Sequence, residues 1–214
     1  MAFFTLEMSG ESILMRMAAA RAQVDGLKVT QGLANDYENK KLSEAFADLA
    51  DEEGCRLWID DTTGCTVPAV RAALRRLNAR NPIGLVVIDY LQLLETSGGS
   101  ERRRYEQVSD ISRGVKRLAR EFKVPAVVLA QLNREIEKDS RKPRPSDLRD
   151  SGSIEQDADI ILMPARQEGQ DEHSDVLLVD LIIAKQRIGP LGKVPLRFLK
   201  RYAKFVEPGS AAEG

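Results

Sequence analysis

The chain has 214 residues, 43% of them hydrophobic and 30% charged, and a formal net charge of −1. That profile suits one sizeable globular domain and excludes collagen-like, low-complexity and disulfide-built chains. Overall charge points to no nucleic-acid partner, so any such signal must lie in its distribution.

Residues 3–6 read as a strand, followed by a helix over 9–25 with Ile13, Leu14, Met17, Ala18 and Val24 on one side. A second helix is expected over 38–53, with Leu42, Phe46 and Leu49 in phase, and a strand over 56–60. Thr66 is an N-cap candidate, with Pro68 in the first turn of a helix carrying Val67, Val70, Leu74 and Leu77. A strand over 84–89 is apolar at every position from 85 to 88, as suits burial on both faces. A helix over 105–123 sets Val108, Ile111, Val115, Leu118 and Phe122 in phase, and a further buried strand is expected over 125–131. Strands over 160–163 and 176–185 follow, with a terminal hairpin at 193–198. Segments 95–104 and 134–153 read as loops, and the small, polar tail 208–214 is expected to be disordered. The fold class implied is α/β: a mostly parallel sheet flanked by helices, with a C-terminal antiparallel hairpin.

Cys55 and Cys65 form neither a metal motif nor a disulfide framework, which suits a reducing, cytoplasmic setting. No apolar run is long enough to span a membrane, and the first residues lack the pattern of a signal peptide. His173 is the single histidine, which argues against His-based metal or triad chemistry. Trp58, Tyr90 and Tyr105 are too scattered to form a stacking platform.

Ligands of open α/β sheets bind beyond the carboxyl ends of strands. Four expected strand ends carry groups suited to phosphate chemistry. Asp89 follows four apolar residues, the Walker B pattern, where a carboxylate can hold the water shell of Mg²⁺. Glu7 can orient and deprotonate a water; its plainer role is to complement a helix N-terminus. Gln131 can bond a terminal phosphate or merely pin a loop. Lys185 and Arg187, two apart, share a strand face and can act as an arginine finger or as solvated charge. Between residues 102 and 120 stand Arg102, Arg103, Arg104, Arg113, Lys116, Arg117 and Arg120 against Glu106 and Asp110, a stretch suited to a nucleic-acid backbone or to a solvated helix face. Arg149, Asp150 and Gly152 lie in a polar loop opening a short helix, where amides and an arginine can grip phosphates.

Longer strings narrow the choice. Leu85-Val86-Val87-Ile88-Asp89-Tyr90-Leu91-Gln92-Leu93 resembles the Walker B segment of DnaB-type replicative DNA helicases. Ala130-Gln131-Leu132-Asn133-Arg134-Glu135 is similar to the family's next core strand end, and Ala184-Lys185-Gln186-Arg187 to its arginine-finger strand. Phe4-Thr5-Leu6-Glu7-Met8-Ser9 resembles the segment bearing the catalytic glutamate, and the run from Asp147 to Asp159 is the most distinctive match. The resemblance spans residues 3 to about 207 and implies a RecA-like motor domain acting as a homo-hexameric ring on single-stranded DNA, with ATP and Mg²⁺, primase and a helicase loader. It implies that Glu7 polarises the hydrolytic water, Asp89 positions Mg²⁺, Gln131 senses the terminal phosphate, Lys185 and Arg187 reach the next subunit's nucleotide, and Arg149, Asp150 and Gly152 track the DNA.

One element departs from that pattern. The P-loop, G-x-x-x-x-G-K-[ST], does not occur: the only Gly-Lys pair is Gly192-Lys193, followed by Val194. Ile188, Lys200 and Arg201 are smaller departures. Residues 1–207 are therefore expected to be a truncated motor domain, inactive alone, with Phe3 and Phe4 on an exposed apolar edge left by a missing strand. The alternatives are a non-catalytic DNA-binding or oligomerisation module, and another RecA-like ATPase.

Overall fold

The computed structural model describes residues 1–50, 56–96, 103–133, 142–148, 152–171 and 173–209. The elements run β1 (Ala2–Thr5), α1 (Gly10–Ala22), α2 (Gly26–Thr30), α3 (Asp36–Ala50), β2 (Trp58–Asp60), α4 (Val67–Arg80), β3 (Val86–Asp89), α5 (Arg104–Phe122), β4 (Ala126–Val128), α6 (Gly152–Asp157), β5 (Ile160–Arg166), β6 (Val176–Gln186), β7 (Gly192–Leu199) and β8 (Lys204–Val206). Two compact units divide them: Met1–Gly10 with Glu52–Asp159, and Glu11–Asp51 with Ile160–Gly214. Most of the expected tail, residues 210–214, lies outside the described residues.

In the first unit four parallel strands pair in the order β2-β1-β3-β4. Ala2, Phe4, Val86, Val87 and Ile88 are buried, as their apolar runs require. Thr66 caps α4, accepting from the Ala69 amide at 3.3 Å, with Pro68 in the first turn. Along α5 the in-phase residues Val108, Ile111, Val115 and Leu118 are buried. Lys123, at φ 55°, ends α5 in the left-handed region, and the Val124 amide bonds back to the Ala119 carbonyl at 3.2 Å.

The exposed edge is not where the sequence placed it. β1 is paired on both sides, to β2 and to β3, and Phe4 is buried. Among the described strands the edges are β2 and β4, and Val127 in β4 and Leu129 just past it are exposed although their apolar run reads as buried. A run of β-branched residues announces a strand, but not how many neighbours it has.

Helices α4 and α5 meet at a glycine. A Cβ on Gly114 would lie 3.0 Å from Val67 Cγ1, and neither residue has a flexible side-chain end that can yield. Gly114→Val is therefore expected to destabilise the first unit by about 1–3 kcal/mol through overpacking. Urea unfolding checks it, and a midpoint equal to that of the parent chain would show that the helices separate at little cost.

In the second unit Ala18, Ala19, Val24, Leu42 and Ala45 form a buried cluster, with Phe46 and Leu49 packed against it. Helix α1 stops earlier than its pattern suggests because Gln23 adopts φ 53° and the Val24 amide returns to the Ala19 carbonyl at 3.0 Å. Asn35 and Glu38 form a reciprocal capping box at the start of α3, each accepting from the other's amide at 2.9 Å. The expected hairpin is the β6–β7 pair of a larger antiparallel sheet, ordered β5-β6-β7-β8. Asp25 ties this sheet's last turn to α2, at 3.2 Å from Arg201 Nε.

Two carboxylates respond to acid in the same direction. The Asn35 amide and then Lys28 hold Glu38 below the usual carboxylate range, and Arg71 and then Arg75 do so for Glu121. A lowered folded value means stability that is complete above the unfolded pKa of 4.5 and is lost as pH falls through the folded values. The melting temperature should therefore drop as pH falls below 4.5, and the Glu38→Gln/Glu121→Gln pair should flatten that drop. Identical slopes in both proteins would remove these two groups from the acid response.

Candidate nucleotide site and DNA-binding segments

Three adjacent strands of the first unit bring together what the sequence left apart. β1, β3 and β4 are parallel neighbours, so Glu7, Asp89 and Gln131 stand at or just past three adjacent carboxyl ends. Thr5 is opposite Asp89 in register, and the Leu6 amide donates to the Asp89 carbonyl at 2.8 Å. Glu7 is exposed and Asp89 half-buried.

Two residues that hold these groups escaped the sequence reading. Thr5 is buried, and its hydroxyl donates to the Met8 carbonyl at 2.8 Å and accepts from the Met8 amide at 3.2 Å. That closes the turn on which Glu7 sits. Gln92, also buried, faces the backbone of Gln131 with both ends of its amide. Its signal was present, a lone polar residue between Leu91 and Leu93, but one polar position in an apolar string does not reveal its partner.

Lys185 and Arg187 belong to the second unit. Lys185 is in β6 opposite Ile161, while Arg187 lies just past the strand's end at Gln186. The register shifts between Ile161 and Leu162, a bulge that skips Ala184 and changes the face on which Lys185 would otherwise lie. Arg187 thus stands one residue beyond the strand that carries Lys185.

Of the expected DNA loop, Gly152 opens α6, while Arg149 and Asp150 lie outside the described residues. The segment leading to it is tied back to Gln131: Leu132 bridges Leu148, and the Asn133 amide donates to the Asp147 carbonyl at 2.9 Å. The basic stretch before it is partly compensated, since Arg113 pairs with Asp110 at 2.9 Å and Lys116 pairs with Asp159. Arg103, Arg117 and Arg120 are exposed.

Gly192-Lys193 is no phosphate cradle. It opens β7 in antiparallel register with Ile183 and Ile182, and Lys193 Nζ is 3.0 Å from the buried Asp180. Among the described residues no three His, Cys, Asp or Glu side chains converge on a metal-binding point. A cation held by Asp89 through its water shell needs no such cluster, so the strand ends fit the metal side of a nucleotide site. They do not supply the amide cradle for the phosphates.

A family model described as DnaB-like helicase C terminal domain matches residues 1–207. The chain belongs to that family. The Replicative DNA helicase DnaB of Geobacillus stearothermophilus is 42% identical over 207 residues, which make up 96% of this chain and 45% of that protein. The Replicative DNA helicase DnaC of Bacillus subtilis (strain 168) gives the same identity and the same coverage. One similar solved structure, an ATPase domain, has a TM-score of 0.85 at 34% identity, covering 97% of this chain and 74% of that one. A DnaB-like replicative helicase solved for its interactions with primase has the same score and identity and is covered to 50%. This DnaB-like domain thus spans less than half the length of these curated relatives, and its sheet is RecA-like. Among the described residues none of its helices is long and apolar enough to cross a membrane.

Burial, and then the charge of Asp60, push the thiol of Cys65 up in this DnaB-like domain. It therefore stays protonated and inert near neutral pH.

Proposed function

We propose that this chain is part of the motor of a replicative DNA helicase, which couples ATP hydrolysis to movement along single-stranded DNA and duplex unwinding in the cytoplasm. The observation that carries this reading is the placement of Glu7, Asp89 and Gln131 at three adjacent strand ends of a DnaB-like domain. Asp89 is the residue that would hold Mg²⁺, whose charge offsets that of the phosphates when it is bound. The Glu7 carboxylate takes a proton from a water as that water's oxygen attacks the terminal phosphorus, and the bond to the leaving diphosphate breaks. Gln131 donates to the terminal phosphate, and Leu132 and Asn133 carry its position to the segment before Arg149, Asp150 and Gly152. Those three residues follow the DNA backbone. Lys185 and Arg187 act in trans on the nucleotide of the next subunit in a homo-hexameric ring, where positive charge offsets the transition state. Primase, with which the structural relative was solved, and a helicase loader are the protein partners.

The test is ATP hydrolysis with and without single-stranded DNA, on the chain as it stands and on a version preceded by a phosphate-binding segment. DNA-stimulated turnover in the extended version only, abolished by Glu7→Gln, supports the motor reading. The second reading is a non-catalytic DNA-binding or assembly module. Salt-sensitive DNA binding without turnover in either version would establish it and overturn the first.

A further inference from the structure

A short turn follows Asp89 and grips the chain that follows β4. The Leu91 amide donates to the Leu129 carbonyl at 2.9 Å. The Gln92 side chain then makes two bonds to one residue: its Nε2 donates to the Gln131 carbonyl at 3.2 Å, and its Oε1 accepts from the Gln131 amide at 3.2 Å. Gln92 is buried while Gln131 is exposed, so the clasp is anchored in the core and presents its cargo to solvent. Behind it, an Arg104 guanidinium nitrogen donates to the Gln92 carbonyl, fixing the turn to the start of α5. Beyond it, Leu132 and Asn133 pair with Leu148 and Asp147.

We infer that Gln92 is a positioning residue: it fixes the backbone of Gln131, and through it the aim of the Gln131 amide, relative to Asp89. A primary amide of this length can donate to a carbonyl through its nitrogen and accept from the N–H of the same residue through its oxygen. A buried glutamine whose polar atoms are both spent on one exposed residue is costly to keep for packing alone, since an apolar side chain of similar size would fill the space. The clasp also makes the end of β3 and the end of β4 move together. A change at Asp89 therefore reaches Gln131, and the 147–148 segment, without a long rearrangement.

This inference rests on the proposed role of Gln131 in phosphate sensing, and the experiment separates the two. Gln92→Met, near in volume but unable to make either bond, is compared with Gln131→Ala and with the double variant, in the version preceded by a phosphate-binding segment. The expected result is a kcat for DNA-stimulated hydrolysis lowered about tenfold with KM for ATP little changed, and no further loss when Gln92→Met is added to Gln131→Ala. In the chain as it stands, the Gln131 amide should exchange its hydrogen about tenfold faster in Gln92→Met. Additive losses in the double variant, or an unchanged kcat, would overturn the positioning role. If Gln131→Ala itself leaves kcat unaltered, the phosphate-sensing role falls instead, and an unaltered exchange rate in Gln92→Met would then remove the clasp as well. Should Gln92→Met fail to fold, Gln92→Glu takes its place. It keeps the acceptor for the Gln131 amide but sets a carboxylate against the Gln131 carbonyl, so it should retain amide protection while lowering kcat; loss of neither would overturn the inference.

Discussion

Glu7→Gln is expected to leave the fold intact and to lower ATP turnover by about 10²–10⁴-fold in a chain supplied with a phosphate-binding segment. The substitution keeps the size of the side chain and its capacity to accept a hydrogen bond, and removes the one property a general base needs. Glu7 is exposed and sits on a turn closed by Thr5, so its amide replacement disturbs no packed neighbour. Nucleotide binding should be unchanged, because the loss falls on the transition state and not on the ground state. The check is a pair of measurements, steady-state hydrolysis and nucleotide affinity. A weakened affinity with an unchanged turnover would move Glu7 from the chemistry to binding, and retention of both would leave it the plainer role of a carboxylate ahead of α1.

Phe4→Ala should cost about 3–5 kcal/mol, the usual range for removing a buried aromatic ring from a core. Phe4 is 1% exposed and lies in β1, between β2 and β3. Against a total stability of about 5–15 kcal/mol the loss is large enough to unfold a marginal domain. Equilibrium urea unfolding measures it as a shift of midpoint at constant slope. Val127→Ala serves as the control, since Val127 is 51% exposed on the edge strand and should change stability by under about 1 kcal/mol. The ranking of the two variants tests the strand order directly. If β1 were the edge, the exposed-edge expectation for Phe3 and Phe4 would hold and the ranking would reverse.

Much of the fold is legible in local pattern. Periodicity of 3.6 found α3, α4 and α5, and Thr66 with Pro68 marked a helix start that the structure confirms through a capping bond. Helix α2 escaped notice because five residues carry too little periodicity to register. β8 escaped because three residues make a strand only when β7 lies beside them. The bulge at Ala184 was equally silent, since a bulge is a property of a pair of strands and a single strand's residues do not encode it.

Local pattern in the chain reveals the kinds of elements, the polar groups that end the strands and, through longer strings, membership of the DnaB-like family. Each of these depends on residues close together in the chain, where spacing and chemistry are read directly. Only the folded chain makes β1 interior and β4 an edge, brings Glu7, Asp89 and Gln131 to the ends of neighbouring strands, and lets Gln92 hold Gln131 across a separation of 39 residues. The order of parallel strands is set by how crossover helices pack, and a buried side chain's partner by which strands that packing makes adjacent. Neither quantity has a local signature, so both appear only when the chain is folded.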